Sequence, residues 1–413
     1  MSLFASQPTD HGPPGSVWRS RDFRTCWMLS ATFGIAWGLV WPLRNLYFRD
    51  PAVGLSLQQI GWLGFVRSAT MASLPLVIGI LSDGSGRRKP WIVWGFALSS
   101  VSAALYLSAH GFWSLAVVTF VNALAFVAYN VNVNALVTTT LHDHARGRQF
   151  GLYRVSGSIG YAVANFLVIP FAALDPTYAA TFLTGALIYL TCMVIALVRV
   201  HEPPAKEGAP SQWGAWREVL AERNLVVLYV FMAVSAIGTS MGMQFMANHL
   251  DETFHLSKAW IGRVIGLAAV IEIPALILLG RASDRWGRKP ILVFAFIVGG
   301  VRWVLVGMAP NVGWVAVAQV MWGLGFAGYT VSVALITDLV KPAARGSAMG
   351  MLQLSWAFGS VIGPPIGGYI AQNIGLPVVF RVGGGFAILG GLGLLFMLRA
   401  PGSAPGAAHE ATR

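Results

Sequence analysis

Gly79-Ile80-Leu81-Ser82-Asp83-Gly84-Ser85-Gly86-Arg87-Arg88-Lys89-Pro90 is a short polar stretch between two long apolar runs. A similar stretch, Gly280-Arg281-Ala282-Ser283-Asp284-Arg285-Trp286-Gly287-Arg288-Lys289-Pro290, lies about half a chain later in the same setting. Each contains an Asp, a Gly three positions later and a basic cluster. A basic, glycine-containing hairpin used twice between apolar runs indicates a duplicated membrane protein.

The repeat extends beyond these two hairpins. Ile60-Gly61 matches Ile261-Gly262 at the separation that relates the hairpins, and Arg146-Gly147-x-x-x-Gly151 matches Arg345-Gly346-x-x-x-Gly350 at nearly the same separation. Matches in register along the chain indicate that one half was copied from the other.

Composition places the chain in the membrane. It has 413 residues, of which 56% are hydrophobic and 11% are charged, whereas soluble domains are about 25% charged. A spanning helix needs about 20 mostly apolar residues, and lipid admits only helices or closed barrels. We therefore predict an all-α integral membrane protein with two pseudo-symmetric six-helix halves. The twelve predicted spans are 24–48, 57–82, 91–110, 112–140, 149–173, 178–200, 224–249, 258–281, 290–309, 312–340, 346–372 and 377–399.

The distribution of basic residues predicts the orientation. Most of the 28 lysines and arginines lie at the N-terminus, in the even-numbered connections and in the tail, whereas the odd-numbered connections hold few, chiefly Arg44, Arg49 and Lys258. Basic loops stay on the cytoplasmic side. We expect a multi-pass protein of the plasma membrane, the inner membrane of a bacterium, with both termini in the cytoplasm. Because the net charge of +12 is spread over short loops, nucleic-acid binding is not expected.

The chain divides into five parts in this interpretation: a cytoplasmic segment 1–23, the first half 24–200, a cytoplasmic linker 201–223, the second half 224–399 and a disordered tail 400–413. In the linker, a short interfacial helix is predicted to place Trp213, Trp216 and Leu220 on one side. Cys26 and Cys192 lie in apolar runs and are expected to be buried. No cofactor or metal site is expected, and the protein is expected to be a monomer.

The first hairpin resembles the signature of the major facilitator superfamily, G-x-L-x-D-x-x-G-R-[RK], from Gly79 to Arg88. The second copy has Ala282 where Leu is usual, and the resemblance covers the chain from about residue 20 to about residue 400. It implies twelve spans and transport of a small solute by alternating access. It also implies that the hairpins form a latch that favours one of two states. The latch residues are Asp83, Gly86, Arg87 and Arg88, and Asp284, Gly287, Arg288 and Lys289. The alternative to a latch is that each hairpin is only a basic loop with a glycine at its turn.

Charged side chains at membrane depth are costly and are candidates for function. Glu272 is the acid that lies deep in a predicted span, and Arg302 lies as far from the same hairpin, at about 1.5 Å per residue. We therefore predict a Glu272–Arg302 ion pair. Arg67 lies deep in a half that offers it no acid. It is expected to face a water-filled cavity and attract an anionic substrate, or to bond to carbonyl groups.

Glu-x-Pro at Glu272, followed by Arg302-Trp303 in the next span, resembles the sugar-efflux and lactose-permease-like branches of the superfamily. That resemblance implies sugar binding or proton coupling at these residues. Such permeases often have a His in span 10, where this chain has Gln319. The alternative is an ion pair that only fixes helix packing.

Cavity-lining faces in the superfamily come mainly from spans 1, 4, 7 and 10, and each of these spans carries aromatic or polar side chains at helical spacing. The candidates are Trp37, Trp41, Arg44, Asn122, Phe126, Tyr129, Asn130, Ser240, Gln244, Asn248, Gln319, Trp322, Phe326 and Tyr329. Aromatic faces and amides suit sugars and other hydroxylated or amphiphilic solutes. The alternative is that these side chains pack the helices together.

We therefore expect a secondary transporter of a small solute, with efflux of a sugar or related compound preferred and Glu272 as a protonatable coupling residue. Two alternatives stay open. A drug–proton antiporter is disfavoured by Asn122, which replaces the signature Arg of span 4, and by the missing Gly-Pro motif of span 5. The second alternative is an assembly factor or sensor that has this fold and transports nothing. No nucleophile–base pair or phosphate-binding loop is present in the sequence, so an enzyme or an ATP-driven pump is not expected.

Overall fold

The computed structural model describes residues 16–141, 146–201, 215–341 and 344–399. Within these ranges the chain forms long helices and no strand, as predicted. The long helices are α1 Arg21–Arg49, α2 Leu57–Ser85, α3 Lys89–Leu105, α4 Phe112–Thr139, α5 Arg146–Val163, α6 Ala179–Arg199, α7 Arg223–Glu252, α8 Lys258–Trp286, α9 Arg288–Met308, α10 Val312–Leu339, α11 Arg345–Asn373 and α12 Leu376–Met397. Helix α5 continues through a π-helical turn, Ala164–Val168, into Ile169–Ala172.

The helices lie at the predicted places, with differences at their ends. Helix α3 ends at Leu105 rather than at residue 110, and α8 continues to Trp286 rather than to residue 281. Over the described ranges, nine helices are long and apolar enough to cross a membrane; α3, which has 17 residues, α8 and α11 are not among them. The all-helical architecture is confirmed, and a count of twelve spans stays a prediction.

The two hairpins have the tight turns that their glycines predict. Gly86 caps α2 with φ at +62°, and Gly287 separates α8 from α9 with φ at +92°. Both values lie in the region that favours glycine because it has no Cβ. We call the end of the helix bundle that carries these turns the hairpin face and the opposite end the far face.

The linker between the halves contains a short helix, Ala215–Ala221. Val219 is fully buried against the C-terminal half, whereas Trp216 and Leu220 are exposed. Trp213, the tail 400–413 and residues 1–15 lie outside the described residues. Both cysteines are buried and unpaired.

Apolar packing differs between the two faces. Toward the far face, one cluster contains side chains from both halves, from Leu39 in α1 to Phe380 in α12. A small cluster around Ile78 and Val127 lies in the N-terminal half, and toward the hairpin face there are two large, separate clusters. One runs from Val17 to Val200 and lies wholly in the N-terminal half, and the other runs from Val219 to Leu398 and lies wholly in the C-terminal half. Among the described residues, the halves therefore share a core at the far face and not at the hairpin face.

Glycines on the helices that meet across the two halves show the same difference. A Cβ on Gly61 of α2 would lie 2.5 Å from the Pro364 carbonyl oxygen of α11, and one on Gly262 of α8 would lie 3.1 Å from the Asn165 carbonyl oxygen, where α5 continues into its π-helical turn. Both contacts lie toward the far face. Toward the hairpin face, a Cβ would meet no atom within 4 Å on the corresponding glycines, which are Gly79, Gly151, Gly280 and Gly350. The four helices pack closely at one end and diverge at the other.

Candidate functional site

Two buried arginines share one tryptophan ring in the N-terminal half. The guanidinium carbons of Arg44 and Arg67 lie 4.6 Å and 4.5 Å from the ring centre of Trp41. Arg67 Nη1 donates a hydrogen bond to Asn122 Oδ1 at 3.3 Å, and Asn122 Nδ2 donates to Ser102 Oγ at 2.9 Å. The sequence predicted each of these residues except Ser102, and the structure brings the predicted four together inside the N-terminal half, with Arg44 coming from the far-face end of α1. Cation–π contact and one amide stabilise Arg67, with no ion pair to an acid in the described residues.

The predicted Glu272–Arg302 ion pair is wrong. Glu272 Oε2 accepts a hydrogen bond from Trp322 Nε1 at 3.3 Å. Arg302 donates instead to Gln319 Oε1, and its guanidinium carbon lies 3.8 Å from the Trp303 ring centre and 4.8 Å from that of Trp322. Trp322 therefore contacts both charged groups and stands between them, because its N–H edge meets the acid and its ring meets the arginine.

The charged groups at this depth do not balance. Among the described lysines, arginines, aspartates and glutamates, the buried ones are Arg44, Arg67 and Arg302. Glu272 is half-buried. Three arginines and one acid give the middle of the bundle an excess of positive charge, which favours a bound negative group.

The aromatic candidates of α1 and α4 divide into two groups. Trp37 is half-buried, and its ring lies 6.1 Å from that of Trp41 and 5.4 Å from that of Tyr161. Phe126 lies 5.9 Å from the Arg67 guanidinium. Tyr129, in contrast, is 2% exposed and packs in the core of the N-terminal half, so the structure supports the packing interpretation for this residue.

The remaining polar candidates near the middle of the bundle bond within their own half. Asn130 Oδ1 accepts from Asn134 Nδ2 at 3.0 Å. Ser240 Oγ donates to the Ile237 and Gly359 carbonyls, which ties α7 to α11. Tyr329 is half-buried, and its ring lies 6.5 Å from that of Trp356. The side chain of Phe326 lies outside the described residues.

Gln244 and Asn248 were predicted to line the cavity, and the structure places them in the contact between the halves at the far face. Gln244 Nε2 donates to the Ile60 carbonyl at 3.2 Å, and Asn248 Nδ2 donates to the Asn45 carbonyl at 3.1 Å. Asn45 Nδ2 donates in return to the Gln244 carbonyl at 2.7 Å. These side chains are 3%, 0% and 1% exposed. They face the other half in a closed contact rather than a cavity.

Two exposed polar contacts also join the halves at the far face. Arg49 Nε donates to Glu252 Oε1 at 2.8 Å. Lys258 Nζ donates to the Asp175 carbonyl at 3.2 Å and lies 3.4 Å from the Tyr178 ring centre. Asp175 holds this loop in shape: hydrogen bonds from the Ala180 N–H and from Thr177 lower the pKa of its carboxyl to about 2.

The hairpin residues bond within their own halves. Arg88 Nη2 lies 3.2 Å from Asp83 Oδ1, and Arg288 Nη1 lies 2.5 Å from Asp284 Oδ1. Arg288 Nε also donates to Asp338 Oδ2 at the end of α10, at 3.0 Å. The remaining predicted latch residues, Arg87 and Lys289, are exposed and half-buried respectively. Within the described ranges, the hydrogen bonds of these carboxylates stay within their own halves, which agrees with an open hairpin face.

Sequence reasoning missed two residues of α5 that approach the acid. Tyr161 and Arg154 lie within electrostatic range of Glu272, from the opposite half. Tyr161 follows Gly160, where a Cβ would lie too close to the Ala31 carbonyl of α1 for any side chain. The sequence carries one signal for this position: Gly160 matches Gly359 at the separation of the Arg146–Gly151 repeat, and a glycine packed on α1 turns the next residue away from that contact.

Comparison with known proteins agrees with this architecture. The profile of the MFS_1 like family matches residues 27–382. The uncharacterized MFS-type transporter YfkF of Bacillus subtilis (strain 168) is 20% identical over 84% of this chain and 88% of its own length. The multidrug resistance protein MdtG of Yersinia enterocolitica is 32% identical, but the match spans 39% of this chain and 40% of MdtG.

Two solved structures share the fold. The nucleoside transporter NupG superposes with a TM-score of 0.78 at 15% identity, over 92% of this chain and all of NupG. A bacterial homolog of the human lysosomal transporter Spinster, in an inward-facing and occupied conformation, superposes with a TM-score of 0.76 at 15% identity, over 94% and 98% of the two chains. These neighbours are transporters rather than enzymes. Because the family profile covers most of the chain and the fold agrees with it, the chain belongs to the MFS_1-like family of the major facilitator superfamily of membrane transporters.

Proposed function

We propose that the protein moves a small organic solute across the membrane by alternating access around the mid-membrane residues of its two halves. One observation carries the proposal: the halves share an apolar core at the far face and have separate cores at the hairpin face. A protein held closed at one end and open at the other, with charged and aromatic side chains between, is arranged as one state of such a cycle.

The orientation completes the proposal. The basic hairpins favour a cytoplasmic position for the hairpin face by the positive-inside rule. The state described is then inward-facing, and both termini are cytoplasmic. One chain contains both halves of the pathway, so a monomer suffices for transport.

The first candidate solute is a sugar or related hydroxylated compound, with export as the direction. Trp37, Trp41 and Tyr161 offer aromatic faces for a sugar ring, and Asn122 offers an amide beside them. Stacking and hydrogen bonding of this kind suit hydroxylated solutes. The similarity to MdtG, a multidrug resistance protein, favours drug export as the second candidate.

Glu272 is proposed as the group that couples transport to protons. It is the half-buried acid at mid-membrane depth in α8, and its described hydrogen bond comes from Trp322 rather than from an arginine. A carboxyl group without an ion-pair partner can gain and lose a proton as its surroundings alternate between water and protein.

Transport by purified protein in liposomes tests both parts of this proposal. Labelled glucose, lactose and ethidium are measured with and without a pH gradient. We expect gradient-driven movement of one of the sugars by the wild-type protein. Glu272→Gln should abolish the gradient-driven part and retain downhill exchange, because glutamine keeps the shape and cannot be protonated. The matched control is Glu252→Gln, an acid-to-amide change at the exposed far face.

The outcomes separate the alternatives. Wild-type gradient dependence in Glu272→Gln would contradict the coupling role. Movement of ethidium without either sugar would replace the first candidate solute with the second. No movement of any probe, together with stable co-purification of another membrane protein, would contradict transport and favour an assembly factor.

A further inference from the structure

A small cavity lies inside the C-terminal half, with Arg302 in its wall. Its volume is about 50 Å³, and its lining comes from α7, α9, α10, α11 and α12. Its lining includes Ser235, Thr239, Arg302, Trp303, Trp322 and Trp356. The lining of the cavity therefore comes from one half.

Arg302 has more donors than described partners. Its side chain is 3% exposed, and Nε and Nη1 have no hydrogen-bond partner in the structure, whereas Nη2 donates to Gln319. Buried donors are almost always bonded, and a buried charge is costly unless it is paired. The Trp303 and Trp322 rings contact the guanidinium and offset only part of this cost. None of the described residues supplies a negative partner for Arg302.

The size of the cavity limits what can supply that partner. A water molecule needs about 10–15 Å³ of cavity volume. A cavity of about 50 Å³ therefore accepts a few waters or one small anion, and excludes a whole sugar or drug. The hydroxyls of Ser235 and Thr239 line it as further donors.

We propose that this cavity is a binding site for one small anionic group, a halide or a carboxylate, held by the free donors of Arg302. The group is either a free anion or the carboxylate of a larger solute that reaches into the cavity. The proposal does not depend on the proposed transport function, because the site is complete within one half and binding is measured without transport.

The test is anion binding by the purified full chain in neutral detergent. Thermal unfolding and tryptophan fluorescence are measured while the sodium salt of morpholinoethanesulfonic acid, a bulky anion without a carboxylate, is replaced at constant ionic strength by chloride, bromide, formate or acetate. We expect a saturable rise in the unfolding temperature with at least one small anion, and saturable quenching by bromide, since three tryptophans line the cavity. A response to formate and acetate alone would assign the group to a carboxylate, and a response to halides alone would assign it to a free anion.

Two variants localise the response. Arg302→Gln should abolish it, because the charge and the free donors are removed. Gly299→Ala should weaken it at least fivefold for acetate, because a Cβ there enters the cavity lining with its nearest neighbour, Gly325 Cα, at an ordinary 3.5 Å. The matched controls are Arg263→Gln, an exposed arginine stacked on Trp260, and Gly385→Ala, where a Cβ meets no atom within 4 Å.

The proposal is overturned if the wild-type protein shows no saturable response to any of the four anions. It is also overturned if Arg302→Gln responds as the wild type does. Should Arg302→Gln fail to fold, Gly299→Ala decides: an unchanged response in that variant contradicts the site.

Discussion

Asn45 and Asn248 join the first helices of the two halves at the far face. Each donates its amide to a backbone carbonyl of the other half, at 2.7 Å and 3.1 Å, and both are buried. The Arg49–Glu252 ion pair lies nearby, with side chains 37% and 30% exposed. Buried hydrogen bonds are costly to lose, whereas exposed ion pairs contribute little. The two amides should therefore stabilise the far-face contact more than the ion pair does.

Replacement of Asn248 by Ala should lower the free energy of unfolding by about 1–3 kcal/mol, because a buried hydrogen bond between the halves is lost. Glu252→Gln should lower it by less than about 1 kcal/mol. Thermal or denaturant unfolding of both variants in the same detergent gives the comparison. Equal losses, or a larger loss for Glu252→Gln, would contradict the ranking of these contacts.

The residues of the site show what a sequence pattern can predict. The depths of Glu272 and Arg302 follow from counting along their helices, and both reach Trp322 at that depth. The absence of an ion pair between Glu272 and Arg302 could not be predicted, because the Trp322 ring of α10 lies between them. Helical periodicity does not indicate which side chain of a third helix occupies that space. Gln244 and Asn248 were predicted to line the cavity, and they lie in a closed contact with the other half. Whether that face lines an open cavity or a closed contact depends on the conformational state of the whole protein, which a helical pattern does not indicate.

At the scale of helices, α2 with α11 and α5 with α8 are equivalent pairs with different packing. Gly61 and Gly262 occupy matching positions in the repeat and both face the other half. Opposite them, α11 has Pro364 and Pro365 inside the helix, whereas α5 has the π-helical turn Ala164–Val168. Proline and π-turns both interrupt the regular hydrogen-bond ladder. The repeat predicted the glycines, and it did not predict that the two partner helices are interrupted in different ways.

Gly61→Ala should loosen the far face. A Cβ there would lie 2.5 Å from the Pro364 carbonyl oxygen and 3.0 Å from Gly368 Cα, so the backbones of α2 and α11 would have to move apart. Overpacking of this kind costs about 1–3 kcal/mol. Gly79→Ala in the same helix is the matched control, since a Cβ there meets no atom within 4 Å.

We expect Gly61→Ala to lower the unfolding temperature and Gly79→Ala to leave it unchanged or raise it slightly, because alanine favours helix more than glycine by about 1 kcal/mol. Thermal unfolding in detergent measures both. A loss in Gly79→Ala as large as that in Gly61→Ala would show that glycine is needed along all of α2 and not only at its contact with α11.

The whole molecule combines a duplicated scaffold with charges that are not duplicated. The hairpins, their turn glycines and the contacts at Gly61 and Gly262 repeat in both halves. The half-buried acid Glu272 of the C-terminal half is not repeated in the N-terminal half, and Arg44 and Arg67 of the N-terminal half are not repeated in the C-terminal half. In the proposed transport cycle the repeated halves rock against each other, and the unmatched charges act on the solute and the proton.

The distance between spin labels at the hairpin face tests most directly whether the protein alternates between two states. Labels at Gly79→Cys of α2 and Gly350→Cys of α11 enter open space, and the native cysteines are buried. In lipid nanodiscs we predict a main separation well beyond the 8–10 Å of packed helices. Adding Gly61→Ala should raise the population of a shorter separation, because it weakens the far-face contact that holds the hairpin face open. A single short separation in both proteins, or a distribution that Gly61→Ala leaves unchanged, would contradict the account.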